Sequence, residues 1–198
     1  MRTHARLAAL AAAATLTLLA ADASALEASL GARMGGYGFR QVNAEGSMDF
    51  LQCRMDGVGL TGTLELPGNF FGELGVDYYH ALAEPVLEGI DRLSLHTSAA
   101  VGYRLFPNFI VSPNLQAGVG AEFTKVELLG AEAEAVVPVG FMGVGGEVNL
   151  GRLKLGMSAR VHAMQLPVYD WQSAGTQDAV DMDTEVAGQV LFSMRYML

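Results

Sequence analysis

Val190-Leu191-Phe192-Ser193-Met194-Arg195-Tyr196-Met197-Leu198 closes the chain, and its period is two. Val190, Phe192, Met194, Tyr196 and Leu198 make one register, every member apolar or aromatic. Gln189, Leu191, Ser193, Arg195 and Met197 make the other. Successive side chains of a strand point to opposite faces, so this is a strand with one wholly apolar face and an aromatic third from the end.

The segment resembles the C-terminal strand by which bacterial outer-membrane β-barrels are recognised for insertion, with Leu198 in place of the usual Phe or Trp. The resemblance implies a Gram-negative outer-membrane protein. Its expected partners are the barrel insertion machinery, outer-membrane lipid and lipopolysaccharide, and other envelope proteins.

The opposite end carries the same address. Arg2, His4 and Arg6 form a basic start, Leu7 to Ala21 an unbroken Ala/Leu/Thr run, and Ala23-Ser24-Ala25 a small-x-small cleavage site. A helical signal peptide over 1–25 is expected, cut between Ala25 and Leu26, with the barrel over 26–198. The 15-residue run is short of the roughly 20 residues a spanning helix needs. No Cys follows the cleavage site, which argues against a lipoprotein.

Beyond Leu26 no stretch of 18 apolar residues occurs, yet 51% of the chain is hydrophobic, 17% is charged and 24 residues are Gly. Alternating strands of a membrane barrel have this composition, because only every second residue meets lipid. Without residues 1–25, which hold Arg2, Arg6 and Asp22, ten Lys and Arg stand against twenty Asp and Glu, a net charge of −10. That balance excludes nucleic acid as a partner. Cys53 is the sole cysteine and is read as a free thiol.

The alternation repeats eight times, over about 26–39, 58–66, 70–79, 91–105, 109–125, 136–149, 153–163 and 184–198. Pro113 is awkward for a ladder, so pairing in the fifth strand is expected to start after it. The phase over 136–149 is open: Val136, Met142, Val144 and Val148 fit the lipid face, while Val137, Val139 and Phe141 fit the other. Pro67-Gly68-Asn69, Phe106-Pro107-Asn108 and Asn149–Arg152 are tight turns. Long polar loops are expected at 40–57, 80–90, 126–135 and 164–183. Long and short connections alternate, as in up-and-down barrels with periplasmic turns and extracellular loops. Aromatics cluster at strand ends: Tyr37, Phe39, Tyr78, Tyr79 and Phe123 toward the long loops, and Phe70, Tyr103, Phe106, Phe109 and Tyr196 toward the turns. They read as two interfacial girdles. The fold class is therefore all-β, an eight-stranded antiparallel up-and-down transmembrane barrel. A lipocalin-like soluble barrel would instead turn the apolar face inward.

The register opposite the apolar face holds Arg33, Glu65, Glu73, Asp77, Arg92, His96, Arg104, Glu122, Glu147, Lys154, Arg160, His162, Glu185 and Arg195. An eight-stranded barrel is just wide enough for side chains to fill. Buried charges must pair, so these residues are expected to form a lumen charge network that plugs the barrel. A proton or ion path is the other use of such residues. His96-Thr97-Ser98 resembles the His-x-Ser element of the outer-membrane lipid A 3-O-deacylases. That family places the pair on the lipid-facing surface with an acid on a neighbouring strand. Here the pair shares the register of Arg92 and Arg104, and Ile110 stands where the acid would be. No catalytic residue is assigned.

The loops carry an acidic excess, and Asp178-x-x-Asp181-x-Asp183 could offer oxygens to a hard cation. It lacks the Gly-centred spacing of a calcium loop, so solvated loop charge is expected, with no metal or cofactor. Tyr169 and Trp171 in the longest loop are candidates for a partner contact or for the outer girdle.

The whole region after residue 25 resembles, in architecture, the small barrels that include the OmpA membrane domain, OmpX and OmpW. The expected function is structural or interactive, through acidic extracellular loops or within an envelope assembly. An OmpW-like pore for small solutes or hydrophobic molecules is the alternative, and a lipid A-modifying enzyme the remote one.

Overall fold

A computed structural model describes residues 27–41, 51–81, 90–128, 131–169, 176–177 and 179–198. The strands are β1 (Ala28–Gln41), β2 (Leu51–Glu65), β3 (Phe70–Ala81), β4 (Ile90–Arg104), β5 (Val111–Leu128), β6 (Ala131–Leu150), β7 (Leu153–Tyr169), the two-residue β8 (Thr176–Gln177) and β9 (Ala179–Met197). Each of the eight long strands pairs antiparallel with its chain neighbour, and β9 returns to β1, so the sheet closes on itself and has no free long edge. In the closing register Leu30 faces Tyr196, Ala32 faces Met194 and Met34 faces Phe192. The terminal strand's apolar register is thus paired with the apolar register of β1.

That register faces outward on every long strand. Leu60 is 69% exposed and Val119 67%, with Met34, Val76, Met142, Met157 and Phe192 likewise outside. Phe70, Tyr103, Phe106, Phe109 and Tyr196 ring the short-turn end, here called the lower end, and Tyr78 and Phe123 mark the upper limit. Among the described side chains between these rings, no outward residue is charged. A band of this kind suits hydrocarbon and no soluble barrel, whose apolar face would be inside.

The lower turns are tight because of their residues. Gly68 (φ 77°) and Asn69 (φ 68°) take left-handed backbone after Pro67, and Leu66 N donates to Phe70 O at 2.9 Å. Pro113 is in the ladder after all: Ser112 pairs with Glu147 and Pro113 with Gly146. Its carbonyl accepts from Leu105 N at 2.9 Å, so its ring nitrogen faces β4 where that strand ends. The missing N–H therefore falls where the β4 ladder stops.

Three of the four expected long loops contain strand at their described residues. Residues 126–135 are a hairpin in which Lys125 pairs with Glu134 and Leu128 with Ala131. The 164–183 segment continues the β7–β9 ladder up to Tyr169 against Ala179. In the 40–57 segment Arg40 pairs with Gln52 and Gln41 with Leu51, and 42–50 lie outside the described residues. The outward register changes from apolar to charged above Phe123 and Val136, where Lys125, Glu127, Glu132 and Glu134 stand, while backbone pairing continues. Hydropathy marks the edge of the lipid, not the end of the strand. The 80–90 loop falls mostly on 82–89, which with 1–26 lie outside the described residues.

Candidate functional site

Inside the barrel the opposite register builds a continuous polar column. At its base, Glu65 takes Arg104 and, at 2.7 Å, Lys154. Glu147 takes Arg104 at 2.9 Å and also Arg195. These five side chains come from β2, β4, β6, β7 and β9, so the pairs cross the lumen. Arg104 lies over the Phe71 ring, and Ser29 and Thr63 bond to each other.

In the middle, Arg33 forks onto Asp77, with Nε to Oδ1 and Nη2 to Oδ2 both at 2.5 Å. It also reaches Glu73 at 2.8 Å and Ser98 at 3.1 Å. Arg160 meets Glu73 at 2.5 Å and Gln116 at 2.9 Å. Gly75 makes this possible: a Cβ there would overlap the Arg33 guanidinium. Asp77 is 1% and Arg160 2% exposed. Planar guanidinium forks suit such dry pairs, since they satisfy two carboxylate oxygens at once.

Higher up, Glu122 is held by Arg92 (3.1 Å), Ser94 (2.7 Å) and Tyr37 (3.0 Å). His96 Nδ1 stands 3.7 Å from Asp77 Oδ2. His162 stacks on Phe141 at 5.2 Å, and Arg160 covers the same Phe141 ring. Among the described lumen side chains, five acids (Glu65, Glu73, Asp77, Glu122, Glu147) face six bases (Arg33, Arg92, Arg104, Lys154, Arg160, Arg195). The side chains of Glu185 and Cys53 lie outside the described ones.

Above the column sits an apolar layer that sequence reasoning did not assign. Met55, Val137, Val139, Met164 and Ala187 pack with Tyr37 and Tyr79 into one buried cluster. Tyr37 and Tyr79 are thus lumen residues at 4% and 2% exposure, not members of an outer girdle. The second phase over 136–149 was the signal: Val137, Val139 and Phe141 point inward with Glu147, while Val136, Met142 and Val144 point out. The strand has one phase, with an inner face apolar above and polar below. At the lower mouth, an open vestibule of about 590 Å³ is bordered by Glu65, Arg104, Lys154, Asn108 and Asn149.

His96 and Ser98 are both inside, 3% and 9% exposed, while Thr97 faces out. The Ser98 hydroxyl accepts from Arg33, and acyl chains at the lipid face do not reach it. Among the described residues no group of three His, Cys, Asp or Glu is spaced to hold a metal ion.

No protein-family model matches the chain, and no curated protein matches it. Solved structures do. Neisserial surface protein A superposes with a TM-score of 0.61 at 11% identity, over 87% of this chain and 97% of that one. Ail, the attachment invasion locus protein of Yersinia pestis, solved with the heparin analogue sucrose octasulfate, superposes with a TM-score of 0.51 at 16% identity, again over 87% and 97%. The fold is that of the small outer-membrane β-barrels.

Proposed function

We propose that this chain is an integral outer-membrane barrel whose lumen is plugged, and which acts as a structural or interaction protein through its outer rim. One observation carries the reading. The lumen is crossed at successive levels by ion pairs, from Lys154–Glu65 to Arg92–Glu122, beneath a packed apolar cap. An eight-stranded interior filled by side chains leaves no water path. Residues 1–25 would direct export and be removed before Leu26, and the Val190–Leu198 strand would be read by the insertion machinery.

The described rim carries Asp56, Glu127, Glu132 and Glu134 exposed, with Lys125 paired to Glu132. That charge is wrong for a polyanion such as the one bound by Ail. It suits contact with lipopolysaccharide through divalent cations, or with a basic surface of another envelope protein.

Planar-bilayer recording of the refolded protein tests the plug. The expected trace is flat, and steady single-channel openings would overturn the reading. A second reading, a lateral conduit for hydrophobic molecules, draws on the register. The β6–β7 ladder ends at Val139 against Met164, whereas the flanking ladders continue to Leu128–Ala131 and Tyr169–Ala179. The seam so formed is bounded above by β8, where Thr176 pairs with Glu132 and Gln177 with Ala133, and it lies beside the apolar cap. Accelerated alkane uptake by proteoliposomes, in the absence of ion conductance, would favour this reading over a sealed barrel.

A further inference from the structure

Two buried histidines in the upper lumen each keep one ring nitrogen outside the polar contacts of the column. His96 on β4 is 3% exposed and His162 on β7 is fully buried. Their rings stand 5.6 Å apart, centroid to centroid. His96 Nε2 and His162 Nδ1 are both buried without a hydrogen-bond partner.

The partners of the other two nitrogens fix what these orphans are. Gln189 Nε2 donates to the Tyr79 hydroxyl at 2.7 Å, which leaves Gln189 Oε1 as the group facing His162 Nε2 at 3.1 Å. A carbonyl oxygen accepts, so the imidazole proton is on Nε2 and Nδ1 is a bare lone pair. His96 Nδ1 faces the Asp77 carboxylate, so its proton belongs on Nδ1 and the bare lone pair on Nε2. Each ring thus has one nitrogen turned toward a carboxylate or carbonyl, at 3.7 Å for His96 and 3.1 Å for His162, and one buried without a partner. Metal-ligating histidines are held this way by their outer partners.

From this juxtaposition we infer that His96 Nε2 and His162 Nδ1 form a two-nitrogen site for a soft monovalent cation, copper(I) or silver(I). With metal–nitrogen bonds of about 2.0 Å, imidazole centroids bridged by one ion stand roughly 5 to 6 Å apart when the angle at the ion is bent, and a little over 6 Å when it is linear. The observed 5.6 Å fits the bent arrangement. Gly120 leaves the space open, because a Cβ there would stand 3.0 Å from His96 Nε2. Met164, two residues beyond His162 on the same face, is buried, and its sulfur accepts from Tyr37, which meets His162 edge-on. A pair of imidazole nitrogens selects a soft, low-coordination ion, not a hard or octahedral one.

The test uses the Cys53→Ser protein, which removes the one competing thiol, refolded in detergent with silver(I) and then desalted. Elemental analysis is expected to find about one silver per chain, and His96→Phe or His162→Phe to lower retention at least tenfold, the scale on which metal sites respond to ligand loss. Heat-modifiable gel mobility verifies that each variant folds. Should a variant not fold, 15N spectra of the Cys53→Ser protein decide alone: silver is expected to shift both imidazole side chains, one nitrogen on each. Negligible silver retention, retention equal in the histidine variants, or unmoved ring nitrogens would overturn the site and leave a buried water bridging the two lone pairs.

Discussion

Glu147→Gln tests most directly whether the lumen is dry. Glu147 accepts from Arg104 and Arg195, and all three side chains are within 4–6% of full burial. Glutamine keeps the shape and one oxygen acceptor but removes the charge. Arg104 retains Glu65, whereas Arg195 keeps the Thr63 hydroxyl at 3.2 Å as its hydrogen-bond partner among the described residues. One buried guanidinium then loses its direct ion pair, with Glu73 and Glu65 acting on it only at longer range. Removing one partner of a buried pair costs about 3–5 kcal/mol, because solvent is not there to take over. Urea unfolding in lipid vesicles, followed by heat-modifiable mobility, reads this as a shift of the midpoint at constant slope. Two controls give the result its meaning. Glu132→Gln breaks the Lys125–Glu132 pair, whose side chains are 41% and 49% exposed, and is expected to leave the midpoint unchanged. Glu147→Gln combined with Arg195→Met removes both charges and is expected to regain most of the loss, since pair couplings of this kind are not additive. A Glu147→Gln loss below about 1 kcal/mol, the range of solvated pairs, would mean that water fills the lumen, and the plug reading would fall with it.

Four further outcomes follow from the same geometry. Leu60→Arg, in the middle of the outward band, should lower stability by about 2–4 kcal/mol in vesicles, whereas Glu134→Arg, above the band, should be neutral by the same titration. Met164→Ala opens a hole in the apolar cap and should cost about 2–5 kcal/mol, measured by urea unfolding. Lipid A mass spectra from cells with and without the protein should be identical, and a deacylated species lost in Ser98→Ala would reverse the assignment of that residue. Intact mass of the membrane-extracted protein should correspond to a chain starting at Leu26, and retention of residues 1–25 would disprove the cleavage site.

What was legible in the sequence followed from a single constraint, that lipid meets every second residue. Leu30, Leu60, Val76, Val119 and Phe192 all obey it, so strand number, order and facing could be read without any contact information. The rule fails where lipid is absent. Val126 to Ala135 looks like a loop because its outward residues are charged, yet the ladder from Lys125–Glu134 to Leu128–Ala131 is complete. Hydropathy reports the solvent on one face, and the hydrogen-bond ladder does not depend on it. Tyr37 and Tyr79 were misplaced for a related reason. An aromatic near a strand end suits an interfacial girdle, but parity sends these two inward, where Glu122 and Gln189 take their hydroxyls.

The column itself has a different status. Parity alone can place Arg33, Asp77 and His96 on the inner face. Which charge meets which is decided by strand stagger. Arg33 on β1 and Asp77 on β3 are separated by the whole of β2, and Gly59 lies between them, opposite both. Had Gly59 carried a side chain, its Cβ would have struck Asp77. The small residues of the inner register, Gly59 and Gly75 here, therefore specify the pairing as much as the charges do, by clearing the space through which a guanidinium can cross one strand and dock on the next.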